Sequence, residues 1–220
     1  MGFIKRQTVT SSVADELRRR IVSGQYAGGV QIRQEAFAAE LGVSRIPIRE
    51  ALLQLESDGL VVIHAHKGAT VASLGIADAV DLFEARLIVE PVVLKKAVLK
   101  ATPADVERVR TCLAEYEKAA RDGAEPETLS RLNWALHTAM CEPAQRPRMV
   151  SILLSLYTAT DRYLRLQIDR PKAKARALQD HRALFDAYEN RRVALAGKLI
   201  RTHIVGAYDD VMRSLKPPTK

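Results

Sequence analysis

Apolar residues recur every three or four positions along most of this 220-residue chain, the period of helices that bury one face. The first such stripe, Val13, Ala14, Leu17 and Ile21, predicts a helix over 12–23. Ser12 followed by Asp15 resembles a capping box at its start, and Gly24 is placed to end it. Gly28 and Gly29 mark a loop. A shorter stripe, Ala36, Phe37 and Leu41, predicts a helix over 34–41, poorly capped by Arg33 and followed by a tight turn at Gly42. Ser44 caps a third helix, whose first turn accepts Pro47 because no helical N–H is needed there. Its buried face is Ile48, Ala51, Leu52 and Leu55. The period then falls to two: Val61–Ile63 and Ala69–Val71 alternate as short strands about a His66-Lys67-Gly68 turn.

Two short helices joined by a glycine turn and followed by a hairpin outline a winged helix-turn-helix. Arg45 and Arg49 lie four residues apart, so they share one face, opposite the core and at the N-terminal end of the third helix. That end is what the DNA major groove receives. The Ser44 hydroxyl can serve a backbone N–H or a DNA phosphate, and the basic turn at His66, Lys67 and Gly68 can reach a minor groove or a phosphate. The alternative is a solvated helix face, with Glu50 holding Arg45 or Arg49 in an ion pair, and a solvated loop for His64 and His66.

After a short Leu74-Gly75 linker the pattern is helical throughout, with helices expected near 77–100, 103–121, 126–141, 148–168, 172–189 and 192–214. Prolines and Asp122-Gly123 mark the breaks, and Pro91 predicts a kink inside the first of these helices. The fold class is therefore mainly α: a winged helix-turn-helix over 1–74 and an all-helical bundle over 75–216. Outside the wing the histidines are His137, His181 and His203, on three different helices, with Asn133 one turn before His137. Three imidazoles can hold zinc, nickel or a similar divalent metal and leave positions open. Their spacing alone does not prove that they converge, and a buried histidine is more often a satisfied core group.

Composition narrows the setting. Aromatic residues make up only 5% of the chain, and Ala, Leu and Arg abound, which favours helices over sheets. Cys112 and Cys141 stand alone, which argues against a disulfide scaffold and fits a reducing cytosol. No signal core or membrane-length apolar run appears, so a cytoplasmic protein with no membrane partner is expected. The net charge of +8 fits a polyanion partner, yet residues 1–70 hold nine basic side chains against seven acidic ones. The case for DNA therefore rests on arrangement, and the basic run at 162–176 reads as a solvated face.

The fragments VADELRRRIVSGQ (13–25), AAELGVSRIPIREAL (38–52), LESDGLV (55–61) and KGATV (67–71) resemble the winged-helix domain of GntR-family bacterial transcription regulators. LFEARLIVEP (82–91), NWALH (133–137), DH (180–181) and RTH (201–203) resemble the FCD domain, the helical effector module of the FadR subfamily. The resemblance implies a homodimer on a pseudo-palindromic double-stranded operator near the bacterial nucleoid, with a lean towards repression. It implies that the Arg45 position reads guanine, that Ser44 and Arg49 contact DNA, and that Arg33 belongs to the DNA-facing set. Arg33 stands where the family often has Ser, and Ile46 where Thr is common. It implies a divalent metal on Asn133, His137, His181 and His203, the neutral Asn133 replacing a frequent Asp. A small carboxylate effector would be clamped by Arg86, with Arg162 and Tyr163 as weaker candidates. The alternative for Arg86 is an ion pair with Glu84, Glu90 or another helix, and Trp134 reads as core packing. Two rival functions remain: a structural dimerisation domain, and a metal-dependent hydrolase, which HExxH is not there to support.

Overall fold

The computed structural model describes residues 8–64, 67–168 and 170–215. The chain divides into two compact units, Met1–Leu74 and Gly75–Lys220.

The first unit contains α1 (Val9–Val22), β1 (Gln31–Ile32), α2 (Gln34–Leu41), α3 (Arg45–Ser57), β2 (Val61–His64) and β3 (Gly68–Val71). The expected start of α1 is corrected. Thr8 is its cap, accepting from the Ser11 N–H at 3.1 Å, while Asp15 pairs with Arg18 instead of closing a box with Ser12. Gly42 sits at φ +65°, the left-handed conformation that lets α2 stop and α3 leave at once. The wing holds one strand more than expected. β3 is central, with β1 and β2 antiparallel on either side, pairing Ile32 with Ala69 and Val61 with Val71. Two residues, Gln31 and Ile32, are too short a run to show a period, which hid β1. Gly28 is needed where this loop passes the exit of β3, because a Cβ there would lie 2.9 Å from the Ser73 Cα. Leu17, Leu52, Leu55 and Leu60 are buried in one core with Phe37, Val61 and Val71. Each such side chain contributes about 1.5–3 kcal/mol by leaving water.

The second unit is all helix: α4 (Ile76–Lys100), α5 (Pro103–Arg121), α6 (Pro126–Cys141), a 3-10 turn (Glu142–Ala144), α7 (Pro147–Leu164), α8 (Pro171–Glu189) and α9 (Val193–Leu215). α4 packs against α6, α7 and α9, α8 packs on α9, and α5 lies against α6 and α8. α4 runs unbroken through Pro91, which buries without an N–H to offer the preceding turn. A true capping box occurs at α5, where Thr102 and Asp105 each take the other's backbone N–H. Arg191, at φ +53° between α8 and α9, sends its guanidinium to the carbonyls of Val98, Leu99 and Ala101, closing the C-terminus of α4. Among the described residues no helix is long and apolar enough to cross a membrane.

Candidate functional site

The first candidate surface lies at the N-terminal end of α3. Ile48, Ala51, Leu52 and Leu55 bury one face, which leaves Arg45, Ile46 and Arg49 on the other. Ser44 stands at the cap position, yet its side chain makes no capping hydrogen bond, so the hydroxyl is not committed to the helix. Arg45 sets Nη1 2.8 Å from Oε1 of Glu35 on α2, and both side chains are largely exposed. Glu50, the partner weighed from sequence, instead accepts from Thr10 Oγ1 at 2.7 Å. Gly68 of the wing borders two concavities. One, about 590 Å³, is lined by Arg33, Glu35 and Arg45, and the other, about 450 Å³, by Gln34, Arg49 and His64. Gln31 donates from Nε2 to the Lys67 carbonyl at 2.7 Å, tying the turn between β2 and β3 to β1. His66 lies outside the described residues. The basic run of α1 is engaged elsewhere: Arg18 holds Asp15 and Asp58, Arg19 holds Glu16, and Arg20 holds Glu16 and Glu40. Its charge is neutralised within the unit, consistent with the small net charge of this region.

The second candidate is buried in the helical unit. α6 supplies Asn133 and His137, α8 supplies His181 and α9 supplies His203, all buried. The helices bring the three rings together, with centroids 5.3 Å (His137–His181), 5.2 Å (His137–His203) and 4.8 Å (His181–His203) apart. One nitrogen from each lies within 4.8 Å of the others. Two rings are oriented by carboxylates: His137 Nδ1 lies 2.8 Å from Glu90 Oε1, and His203 Nδ1 lies 3.0 Å from Asp180 Oδ2. A carboxylate only accepts, so Nδ1 of each carries a proton, and the neutral form of such a ring has its lone pair on Nε2. His137 Nε2 and both nitrogens of His181 are buried with no hydrogen-bond partner. Burial, and the neighbouring imidazoles, push His181 far below the ordinary histidine range. Burial also lowers His203, though Asp180 opposes it. Convergent imidazoles, buried ring nitrogens without a partner and carboxylates behind two of the Nδ1 atoms are a donor set that suits a divalent cation.

Glu90 joins this cluster to Arg86. Burial would raise the Glu90 carboxyl, but the Arg86 charge and His137 outweigh it and hold it at about 2. Arg86 gives Nε and Nη2 to Glu90 Oε2, each at 3.1 Å, so the Glu90 ion pair weighed from sequence is present. Its Nη1 is buried without a partner. The guanidinium carbon lies 5.1 Å from the Trp134 ring, 5.5 Å from Tyr157 and 5.4 Å from Phe83. Trp134 is thus more than core packing. It covers Arg86, stacks on Tyr157 at 4.5 Å and donates Nε1 to Asp161. Tyr163 is engaged away from Arg86, its hydroxyl 2.6 Å from Asp78 and 3.1 Å from the Gly75 N–H at the head of α4. Arg162 is buried and makes no hydrogen bond to the histidine cluster among the described residues.

Residues 9–71 match the family model of the gntR family of bacterial regulatory proteins, and residues 81–206 match that of the FCD domain. The chain belongs to the GntR family, in the branch that carries an FCD domain. This GntR protein is therefore a DNA-binding transcription regulator with a ligand-binding effector domain, and the hydrolase alternative falls with that assignment. It is 24% identical to the HTH-type transcriptional regulator YdhC of Bacillus subtilis, over 86% of this chain and 84% of that one. It is also 24% identical to the HTH-type transcriptional repressor GlaR of Escherichia coli, over 86% and 89%. Among solved structures it resembles Escherichia coli McbR/YncC in fold, with a TM-score of 0.83 at 18% identity over 95% of this chain and 99% of that one.

Glu90, Asp180, Tyr157, Glu35 and Gln31 were missed as site residues. Asp180 carried one signal, its place beside His181, yet it orients His203.

Proposed function

We propose that this GntR regulator is a homodimeric repressor whose operator affinity responds to a small carboxylate bound beside a divalent metal. The observation that carries the reading is the set of buried, unpartnered imidazole nitrogens next to a buried arginine with an unpartnered Nη1. Burying such groups without partners is costly, and a cation with an anionic ligand would satisfy both. His137, His181 and His203 would hold zinc, nickel or a similar metal, with the neutral amide of Asn133 one turn from His137 as a further ligand. A carboxylate would take an open metal position and the Arg86 Nη1. The metal would fix the effector's orientation and supply most of its attraction.

Unit 1–74 would bind the operator through Ser44, Arg45, Arg49, Arg33, Lys67 and Gly68. Arg45 and Arg49 would read base edges, and the others would hold phosphates. The exposed Arg45–Glu35 pair is weak enough to exchange for guanine. Unit 75–216 would dimerise as well as bind effector. Ile88, Val92 and Leu99 form an exposed apolar line on α4, and Ile152 and Leu154 are exposed on α7, which supports burial against a second copy. Two recognition helices would then meet a pseudo-palindrome, and the effector would bias their spacing, a coupling of about 1–3 kcal/mol. The repressor GlaR is the relative that motivates the sign of the regulation.

The test starts with genomic DNA fragments selected by the purified protein, then reads anisotropy on the selected operator with and without zinc and a panel of small carboxylates. A palindrome whose affinity changes five-fold or more with one carboxylate, only in the metal-loaded protein, is expected. Specific binding indifferent to every carboxylate and to metal removal would favour the structural dimerisation alternative.

A further inference from the structure

The two carboxylates that orient histidines are supported differently. Glu90 is fully buried and held by Arg86 within α4. Asp180 is only part-buried, and its Oδ2 accepts from His203 while lying 3.7 Å from Nε of Arg176, one turn earlier on α8. Arg176 also crosses to α9, where its Nη2 lies 2.8 Å from Oδ2 of Asp210 as an ion pair, although that oxygen has no hydrogen-bond partner. The guanidinium rests on Gly206: a Cβ at that position would lie 2.7 Å from Nη1, 2.8 Å from Cζ and 3.0 Å from Nε. Gly206 is not among the positive-φ glycines, so its backbone does not ask for glycine. What a Cβ there would displace is the end of the arginine side chain. Arg176 Nε is buried with no hydrogen-bond partner, so its hold on Asp180 is one of charge. Asp210 is shared with Arg213, which leaves Asp180 as the carboxylate that Arg176 serves on its own helix.

We propose that Arg176 is a positioning residue for the histidine cluster: seated on Gly206 and anchored to Asp210, it holds Asp180 where the carboxylate accepts the Nδ1–H of His203, leaving the His203 Nε2 lone pair for a metal. A part-exposed aspartate on a helix has other rotamers available in water, and a fixed cation one turn away selects one of them. The tautomer of a buried neutral imidazole follows the partner at its other nitrogen. An outer chain of Arg176, Asp180 and His203 thus parallels the chain of Arg86, Glu90 and His137. The difference is that Arg86 serves one carboxylate on its own helix, whereas Arg176 lies between two aspartates on two helices. The consequence for metal affinity rests on the metal reading above. The consequence for the tautomer belongs to the metal-free protein.

The full-length protein, with ¹⁵N-labelled histidine and stripped of metal, reports each tautomer in long-range ¹H–¹⁵N spectra. Zinc affinity is read separately by competition with a chromophoric chelator. Gly206→Ala pushes the guanidinium aside without removing a charge, at a helical position where alanine is the better former. Arg176→Gln removes the cation, and Arg176→Lys restores a charge without the fork. In the wild type His203 should carry its proton on Nδ1 alone. Gly206→Ala and Arg176→Gln should show mixed tautomers at His203, an unchanged His137, and zinc affinity lower by about 10–100-fold. Arg176→Lys should recover part of both. A single Nδ1–H tautomer at His203 in both disrupting variants would overturn the proposal, as would equal changes at His137 and His203, which mean general loosening. Should Arg176→Gln not fold, Gly206→Ala decides. Mixed tautomers in the two variants, together with a wild type that binds no zinc, would sink the metal reading and support the role of Arg176.

Discussion

Replacing His181 with leucine should leave the metal-free helical unit at least as stable as the wild type and abolish its response to metal. His181 is fully buried, and neither ring nitrogen has a hydrogen-bond partner. A buried donor or acceptor left unmade costs about 1–3 kcal/mol, so the two nitrogens together cost about 2–6 kcal/mol. Against this stand the ring contacts to Tyr116, His203 and His137, at 4.9, 4.8 and 5.3 Å. Such pairs contribute about 0.5–1.5 kcal/mol each, and leucine recovers part of that by its own packing. At the midpoints, about 4 kcal/mol regained against about 3 lost, leucine comes out about 1 kcal/mol ahead, set against the roughly 2–5 kcal/mol lost when a well-satisfied core site is emptied. Metal binding as proposed would reverse the order. Free zinc at 100 times its dissociation constant would stabilise the wild type by about 2.7 kcal/mol. For a chain of this size that raises the midpoint by roughly 5–11 °C, and the leucine variant should gain none of it. Scanning calorimetry with chelator and with zinc measures both halves. A leucine variant that loses more than about 2 kcal/mol without metal would mean that His181 is satisfied in solution. One that keeps the zinc shift would place the metal elsewhere.

Arg45→Ala should lower specific operator affinity by about 1–3 kcal/mol per half-site and relax sequence preference there, read by anisotropy on operator and scrambled DNA; an unchanged preference would remove Arg45 from base reading. Lys67→Ala should weaken binding to all sequences alike and flatten the salt dependence by about one counterion per subunit, and a sequence-dependent loss would reassign the wing. Arg191→Ala should cost roughly 1 kcal/mol by uncapping α4, and Arg191→Gly less, because glycine relieves the φ of +53°; equal losses would discount the backbone term. Arg19 and Arg20 hold the Glu16 carboxyl at about 2 against an ordinary 4.5. A depressed carboxyl stabilises the fold above its unfolded value, so this contribution is complete above about pH 4.5 and is lost as pH falls through about 2. Glu16→Gln should therefore flatten the acid limb of winged-helix unfolding, and an unchanged limb would show that other carboxylates set it.

The sequence was legible wherever a period or a punctuating residue spoke for the backbone. The stripe through Ile48, Leu52 and Leu55 announced α3 and left Arg45 and Arg49 on its outer face, as found. Proline and glycine marked the helical breaks to within a few residues, because their constraints are local. The first cap failed for the opposite reason: Ser12 and Asp15 matched a spacing that Thr8 satisfied one turn earlier. The site was half legible. Three histidines on three helices could be seen as donors, but nothing in their spacing said that the rings lie within 5.3 Å of one another. Glu90 shows the limit best. Four residues after Arg86 it reads as one half of a helical ion pair, and that pair exists. Its other oxygen meets His137, 47 residues away, only because α4 packs on α6. Local spacing predicts which carboxylate an arginine holds, whereas packing decides what that carboxylate does with its remaining lone pairs. Here it orients an imidazole, so the same Glu90 that would look like ballast for Arg86 links the arginine to the ring. A carboxylate ligand drawing on Arg86 would therefore be felt at His137 through Glu90, and the proposed effector and metal would be coupled through three side chains in direct contact.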